Sequence, residues 1–167
     1  MELKEALLAR RSVRKFTEEP VPDEAVDELM HAAMSGPSAC NVRPWEFYII
    51  SDRAKLEGLR KVTVFTRYSA PLVIVVCGRE ENLVPIAKDF WVQDCSAATE
   101  NILLRATDLG LGAVWCGVWP NSRAVERLRG VLELPKKLTP LNMIFVGHPA
   151  EEPEARDQYD ASRVHRI

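Results

Sequence analysis

Apolar residues recur along this chain with two periods, one helical and one extended. Leu3, Ala6, Leu7 and Arg10 share one face of a short helix predicted over Glu2–Ala9. Val26, Leu29, Met30 and Ala33 fall at i, i+3, i+4 and i+7 behind Pro20-Val21-Pro22-Asp23. That spacing predicts a helix with Asp23 as its N-cap, stopped near Met34-Ser35-Gly36-Pro37. Trp45, Phe47 and Ile49 alternate, which predicts a strand over Trp45–Ile50. Asp52–Lys61 reads as a short amphipathic helix with Leu56 and Leu59 inward. Leu72–Cys77 is a continuous Val/Ile run, the pattern of a strand covered on both faces. The longest helical stretch runs from about Pro85 to Leu109, with Gly110 as its stop and small residues at Cys95–Thr99 that admit a close neighbour. Ala113–Cys116 is a third buried strand closed by Gly117. Asn121–Leu132 is a helix capped by Asn121 or Ser122, and Leu141–Val146 is a fourth strand. Interleaved helices around a sheet of about four strands make an α+β or α/β layered domain.

Composition narrows the class. A chain of 167 residues is one domain, so residues 1–167 form a single unit. Beyond Gly147-His148-Pro149 the apolar anchors thin out. Glu151–Ile167 buries too little to order itself and must be loose or tied to something else. A net charge of −2 leaves no footprint for generic nucleic-acid binding. Cys40, Cys77, Cys95 and Cys116 form no CxxC pair, so they read as buried free thiols and no metal site is expected. The N-terminus lacks the apolar core of a signal peptide. The longest apolar run, Pro71–Cys77, is far short of the ~20 residues that span a bilayer. A cytoplasmic protein is the expectation.

Three segments carry candidate chemistry. Arg10-Arg11-Ser12-Val13-Arg14-Lys15-Phe16 concentrates guanidinium forks and a hydroxyl suited to phosphate oxygens, or forms a solvated basic surface. Ser35–Trp45 is a loop of small and polar residues stiffened by Pro37 and Pro44. Its Asn41 pairs a donor with an acceptor, as a ring edge bearing C=O and N–H requires; an ordinary helix-to-strand turn reads the same way. Leu109–Pro120 places Gly110 and Gly112 before a strand and Gly117 after it, so it is no GxGxxG phosphate loop. Gly117 is either a turn glycine or a place where backbone approaches a ligand. His31, His148 and His165 stand apart from any candidate nucleophile, and Asp94 and Glu100 read as solvated or ion-paired. Anion and ring contacts without a protein acid, base or nucleophile favour chemistry done by a bound cofactor.

Taken together these segments resemble the nitroreductase family of FMN-dependent oxidoreductases. RRSVRKF at 10–16 resembles that family's phosphate motif, and GPSACNVRPWEF at 36–47 its flavin-ring loop. LGLGAVWCG at 109–117 is similar to its second ring-facing segment, and Arg163-Val164-His165 to its C-terminal phosphate arginine. The resemblance implies an α+β, three-layer α/β/α fold with a mixed central sheet of about four to five strands. It also implies a homodimer in which residues 150–167 extend onto the partner chain.

The implied activity is ping-pong transfer from NADH or NADPH, through N5 of FMN, to a nitroaromatic, quinone or similar small acceptor. By matching position, Arg10, Arg11, Ser12, Arg14 and Arg163 would hold the phosphate and ribityl chain. Each FMN would lie at the dimer interface, with Pro37, Ser38 and Ala39 of the partner chain lining the ring, Asn41 bonding its polar edge, and the backbone at Cys116, Gly117 and Val118 facing its reactive nitrogen. Arg43 stands where the family often has Gln, and a cation there would raise the flavin's potential. Other flavin chemistry on the same fold, such as reductive dehalogenation or flavin fragmentation, or flavin binding without turnover, would use the same binding residues. Nothing in the sequence marks a site for a 2′-phosphate.

Overall fold

The Val/Ile run extends to Arg79 and forms β2 (Leu72–Arg79), a buried inner strand of a four-stranded sheet. A computed structural model of the chain describes residues 1–79, 81 and 84–167. In it β1 (Trp45–Ile50), β3 (Gly112–Gly117) and β4 (Leu138–Gly147) complete the sheet in the order β1-β2-β4-β3. Successive side chains of a strand point to opposite faces, so an unbroken apolar run needs cover on both sides.

Leu72, Ile74 and Val76 meet Ile144 and Val146 beneath α2 (Asp23–Met34) and α4 (Trp91–Asp108), through Leu29, Ala33, Cys95, Ala98 and Ile102. Val73, Val75 and Cys77 meet Met143 and Phe145 on the other side, beneath α3 (Arg53–Leu59) and α5 (Ser122–Leu132), through Leu59, Val125 and Leu128. Fully burying each Val, Leu, Ile, Met or Phe among these contributes roughly 1.5–3 kcal/mol, which fixes the register against a one-residue slip. The result is three layers, α/β/α.

Every strand ladder is antiparallel, where a mixed sheet is expected from the sequence. β2 and β3 do run the same way, joined through α4, but β4 lies between them and pairs antiparallel with both. Among the described residues, parallel pairing is confined to an isolated bridge between Ser12 and Ala113.

Other local expectations shift for physical reasons. Pro22, not Asp23, is the N-cap of α2; Asp23 is its first residue and places a carboxylate at the positive end of the helix. The long helix divides into 3-10 turns over Pro85–Phe90 and then α4. Asn121 caps α5 by accepting from the Ala124 N–H, and Gly110 ends α4 with φ 73. α1 (Leu3–Ala9) packs against α4 and leaves Leu3 and Leu7 exposed. Among the described residues, no helix is long and apolar enough to cross a membrane.

Candidate functional site

The cationic segment is stitched to the sheet by its backbone. Val13 N–H donates to Ala113 O (3.0 Å), Thr17 N–H to His148 O (2.9 Å), and Ala150 N–H to Lys15 O (2.9 Å). Val13 is buried over Gly112, where a Cβ would lie 2.6 Å from Val13 Cγ1. Any larger residue at 112 would therefore push the segment off the sheet.

Strand-like pairing makes neighbours alternate, and this divides the arginines. Arg11 lines one groove with Val13, Glu151 and Glu152, its Nε buried and unpartnered. Arg14 lies on the opposite side, where its charge reaches the Cys116 thiol at the end of β3. Its Nη1 donates to Ser12 O (3.2 Å), and its backbone N–H donates to Glu151 Oε1 (2.7 Å). Arg10 Nε stands 3.5 Å from Glu100 Oε1, so Glu100 is ion-paired as expected.

The loop after α2 is drawn onto α4 by a buried carboxylate. Asp94 accepts the Ala39 N–H through Oδ1 (2.9 Å), while its Oδ2 is buried without a partner. Asp94 is 5% exposed and, among the described residues, bonded to backbone with no cation paired to it, which corrects its reading as solvated or ion-paired. The small residues of α4 let the loop close in: a Cβ on Gly36 would lie 3.4 Å from Ala98 N. Pro37, Ser38 and Ala39 then share a groove of about 350 Å³ with Phe90, Gln93, Asp94 and Ala97.

Beyond it the backbone takes positive φ at Cys40 (49), Asn41 (55) and Arg43 (47). Left-handed backbone at such residues costs free energy and persists where surrounding bonds hold it. Here Ser38 Oγ accepts the Arg43 N–H (3.0 Å), and Arg43 Nε donates to Asn41 Oδ1 (2.9 Å). Asn41 thus has its acceptor engaged by Arg43. Cys40 is exposed on this loop, unlike the buried thiol expected.

The end of β3 is shaped by a bulge in β4. Register slips between Val76 and Cys77, so Leu141 falls out of the β2 ladder next to Pro140, which has no N–H to give. Leu141 O instead accepts both the Val118 N–H (2.9 Å) and the Trp119 N–H (3.0 Å). The chain therefore leaves the sheet directly after Gly117, which is exposed with open space where a Cβ would be. Val118 is buried and its N–H is engaged. Cys116 Sγ donates to Phe65 O (3.4 Å), and burial pushes this thiol up to about 11 despite the opposing charge of Arg14, so it keeps its proton at neutral pH.

Arg163 stands apart within the chain. Its Nε pairs with Asp160 Oδ2 of its own turn (3.0 Å), and among the described residues no bond ties it to residues 10–14. Residues 152–167 are exposed throughout, with Tyr159 and Val164 uncovered.

The sequence pattern of the nitroreductase family matches residues 7–66 and 61–148. This chain belongs to the nitroreductase family. A protein of Methanothermobacter thermautotrophicus, provisionally named an NADH dehydrogenase/NAD(P)H nitroreductase, is 44% identical over 99% of this chain and 86% of its own length. An FMN-dependent nitroreductase of Clostridium difficile R20291 superposes with a TM-score of 0.88 at 32% identity, covering 96% of each chain. A Desulfovibrio desulfuricans protein solved in complex with FMN has a TM-score of 0.84 at 30% identity, covering 100% of this chain and 97% of its own.

Within this member of the family, three contributors have no signature in the sequence. Asp94 looks like any acid of an amphipathic helix until the loop folds onto it. Leu141 and Phe65 act through carbonyl oxygens, which side-chain patterns do not mark.

Proposed function

We propose that this nitroreductase-family oxidoreductase uses FMN to carry electrons from NAD(P)H to a nitroaromatic, quinone or similar small acceptor, in alternating half-reactions. One observation carries the reading: the hydroxylic and cationic segment runs along β3, Ser12 bridged to Ala113 and the charge of Arg14 reaching Cys116, the residue before the open backbone of Gly117. The donor set fits the cofactor. Guanidinium and hydroxyl donors suit a phosphate dianion, and a residue without a side chain suits a flat ring. FMN supplies two-electron chemistry that no side chain here provides.

Each residue then has a part. Arg10 and Arg14 neutralise the phosphate, Ser12 donates its hydroxyl to it, and Arg11 acts through its backbone, since its side chain faces the other groove. Pro37, Ser38 and Ala39 line the ring, held by Asp94. Asn41 offers its amide N–H groups, because Arg43 occupies its oxygen. Arg43 brings a positive charge to the ring's polar end. Gly117 leaves the reacting face unshielded, while Cys116 stays a neutral thiol.

The working unit is two copies of the chain. The exposed segment from Glu152 lies across the partner through Tyr159 and Val164, and carries Arg163 to the partner's phosphate. Exposed Leu3, Leu7 and Met34 supply apolar surface of the kind such a partner covers. Steady-state oxidation of NADH and NADPH with a quinone tests turnover. Sustained oxidation supports the enzyme, and bound flavin without oxidation would refute it.

A further inference from the structure

The loop between α3 and β2 builds a second feature beside the site. Thr66 is fully buried at its centre: its Oγ1 donates to Thr63 O (3.0 Å) and accepts the Thr63 N–H (3.0 Å). Thr63 Oγ1 in turn accepts the Phe65 N–H (3.1 Å). Such side-chain-to-backbone bonds fix the loop without secondary structure. On its outer side lies a groove of about 440 Å³ lined by Glu57, Arg60, Lys61, Thr63, Val64, Arg67 and Arg127.

Four cations face one carboxylate there, in a chain whose net charge is −2. Glu57 is already taken by Arg60 Nη1 (2.6 Å), and Arg60 Nε is buried with no partner. Arg127 is fixed by donating to Val62 O (3.4 Å). Lys61 and Arg67 have no acidic partner among the described residues. The groove is thus a fixed frame with unneutralised donors, the chemistry that selects phosphate.

Its position identifies the phosphate. Phe65 O holds the Cys116 thiol beside Gly117, and Arg67 follows two residues later, within about 7 Å of chain. A dinucleotide whose nicotinamide met a ring at Gly117 would leave its phosphates on the surface around that residue, and this loop is a cationic surface tied to the end of β3 through Cys116.

We propose that the groove walled by Arg60, Lys61, Arg67 and Arg127 binds a phosphate of the nicotinamide dinucleotide donor, a site distinct from the FMN phosphate site at Arg10–Arg14. The proposal rests on the flavin-site reading above for the identity of the donor. The source is either the pyrophosphate, common to NADH and NADPH, or the 2′-phosphate of NADPH.

The test compares the purified full chain, as isolated, with a Lys61→Gln/Arg67→Gln variant. Both side chains are exposed, and an unchanged melting temperature shows that the variant folds like the parent. Calorimetric titration uses adenosine 5′-diphosphate and adenosine 2′,5′-bisphosphate as probes. Loss of about tenfold in affinity for both probes supports a pyrophosphate site, and loss for the bisphosphate alone supports a 2′-phosphate site. The matching kinetic result is a KM for the donor raised about tenfold, with kcat and FMN content unchanged. Unchanged affinity for both probes overturns the proposal. So does a groove that binds an acidic peptide or an oligonucleotide that neither probe displaces. Protein that takes up no FMN on incubation, yet whose probe binding depends on Lys61 and Arg67, upholds the groove and overturns the flavin reading instead.

Discussion

Replacing Gly112 with alanine tests how the cationic segment is held. The new Cβ would lie 2.6 Å from Val13 Cγ1 and 2.8 Å from Val13 Cβ. Carbon atoms rest about 3.5–4.0 Å apart, so Val13 must retreat by roughly 1 Å. That stretches its 3.0 Å bond to Ala113 O beyond hydrogen-bond range. Overpacking costs about 1–3 kcal/mol and the lost bond about 1 kcal/mol, so Gly112→Ala destabilises by about 3 kcal/mol. For a chain of this size the melting temperature falls by about 6–12 °C. Ser12 and Arg14 flank Val13 and move with it, so FMN affinity drops about tenfold or more.

Thermal melts of the flavin-free protein and fluorescence titration with FMN read the two effects. Gly130→Ala is the control: it sits inside α5 with nothing within 4 Å of its would-be Cβ, and alanine there stabilises by about 0.5–1 kcal/mol. Gly112→Ala protein that melts and binds FMN like the parent would refute the reasoning.

Three other outcomes are expected. Iodoacetamide near neutral pH labels Cys40 alone, seen as one adduct by mass spectrometry, because burial pushes Cys77 and Cys95 up to about 12 and Cys116 up to about 11. The same shift has a stability sign: unfolded thiols ionise near 9.0, so above that pH the unfolded chain sheds protons that the folded chain keeps. Stability therefore falls from about pH 9 towards pH 12, and a flat alkaline melting profile contradicts it. Arg163→Gln weakens FMN binding about tenfold without changing the melting temperature of the flavin-free chain, since its side chain is 84% exposed. Arg43→Gln lowers the bound flavin's two-electron potential by roughly 30 mV, and an unchanged potential by spectroelectrochemistry removes Arg43 from the ring's environment.

What the sequence made legible was local. The β2 run, the Asn121 cap and the Gly110 stop each depend on a few neighbouring residues, and each stands where its chemistry puts it. The antiparallel insertion of β4 between β2 and β3 was not legible, because strand order depends on which gap the last strand fills. The split between Arg11 and Arg14 follows from the bridge between Ser12 and Ala113, far apart in sequence, so the cluster looked undivided. Asp94 was misread because its burial comes from the loop that folds over it. Arg163 makes no bond to the cationic segment within a single chain, which fits a residue whose place is completed by a second copy.

The central claim is that this chain is built to hold FMN. The visible spectrum of the purified protein, followed by acid release and identification of the chromophore, tests it most directly. The expected result is a yellow protein that releases close to one FMN per chain and bleaches when NADH or NADPH is added without oxygen. Protein that is colourless, and remains so after incubation with FMN and removal of the excess, would contradict it.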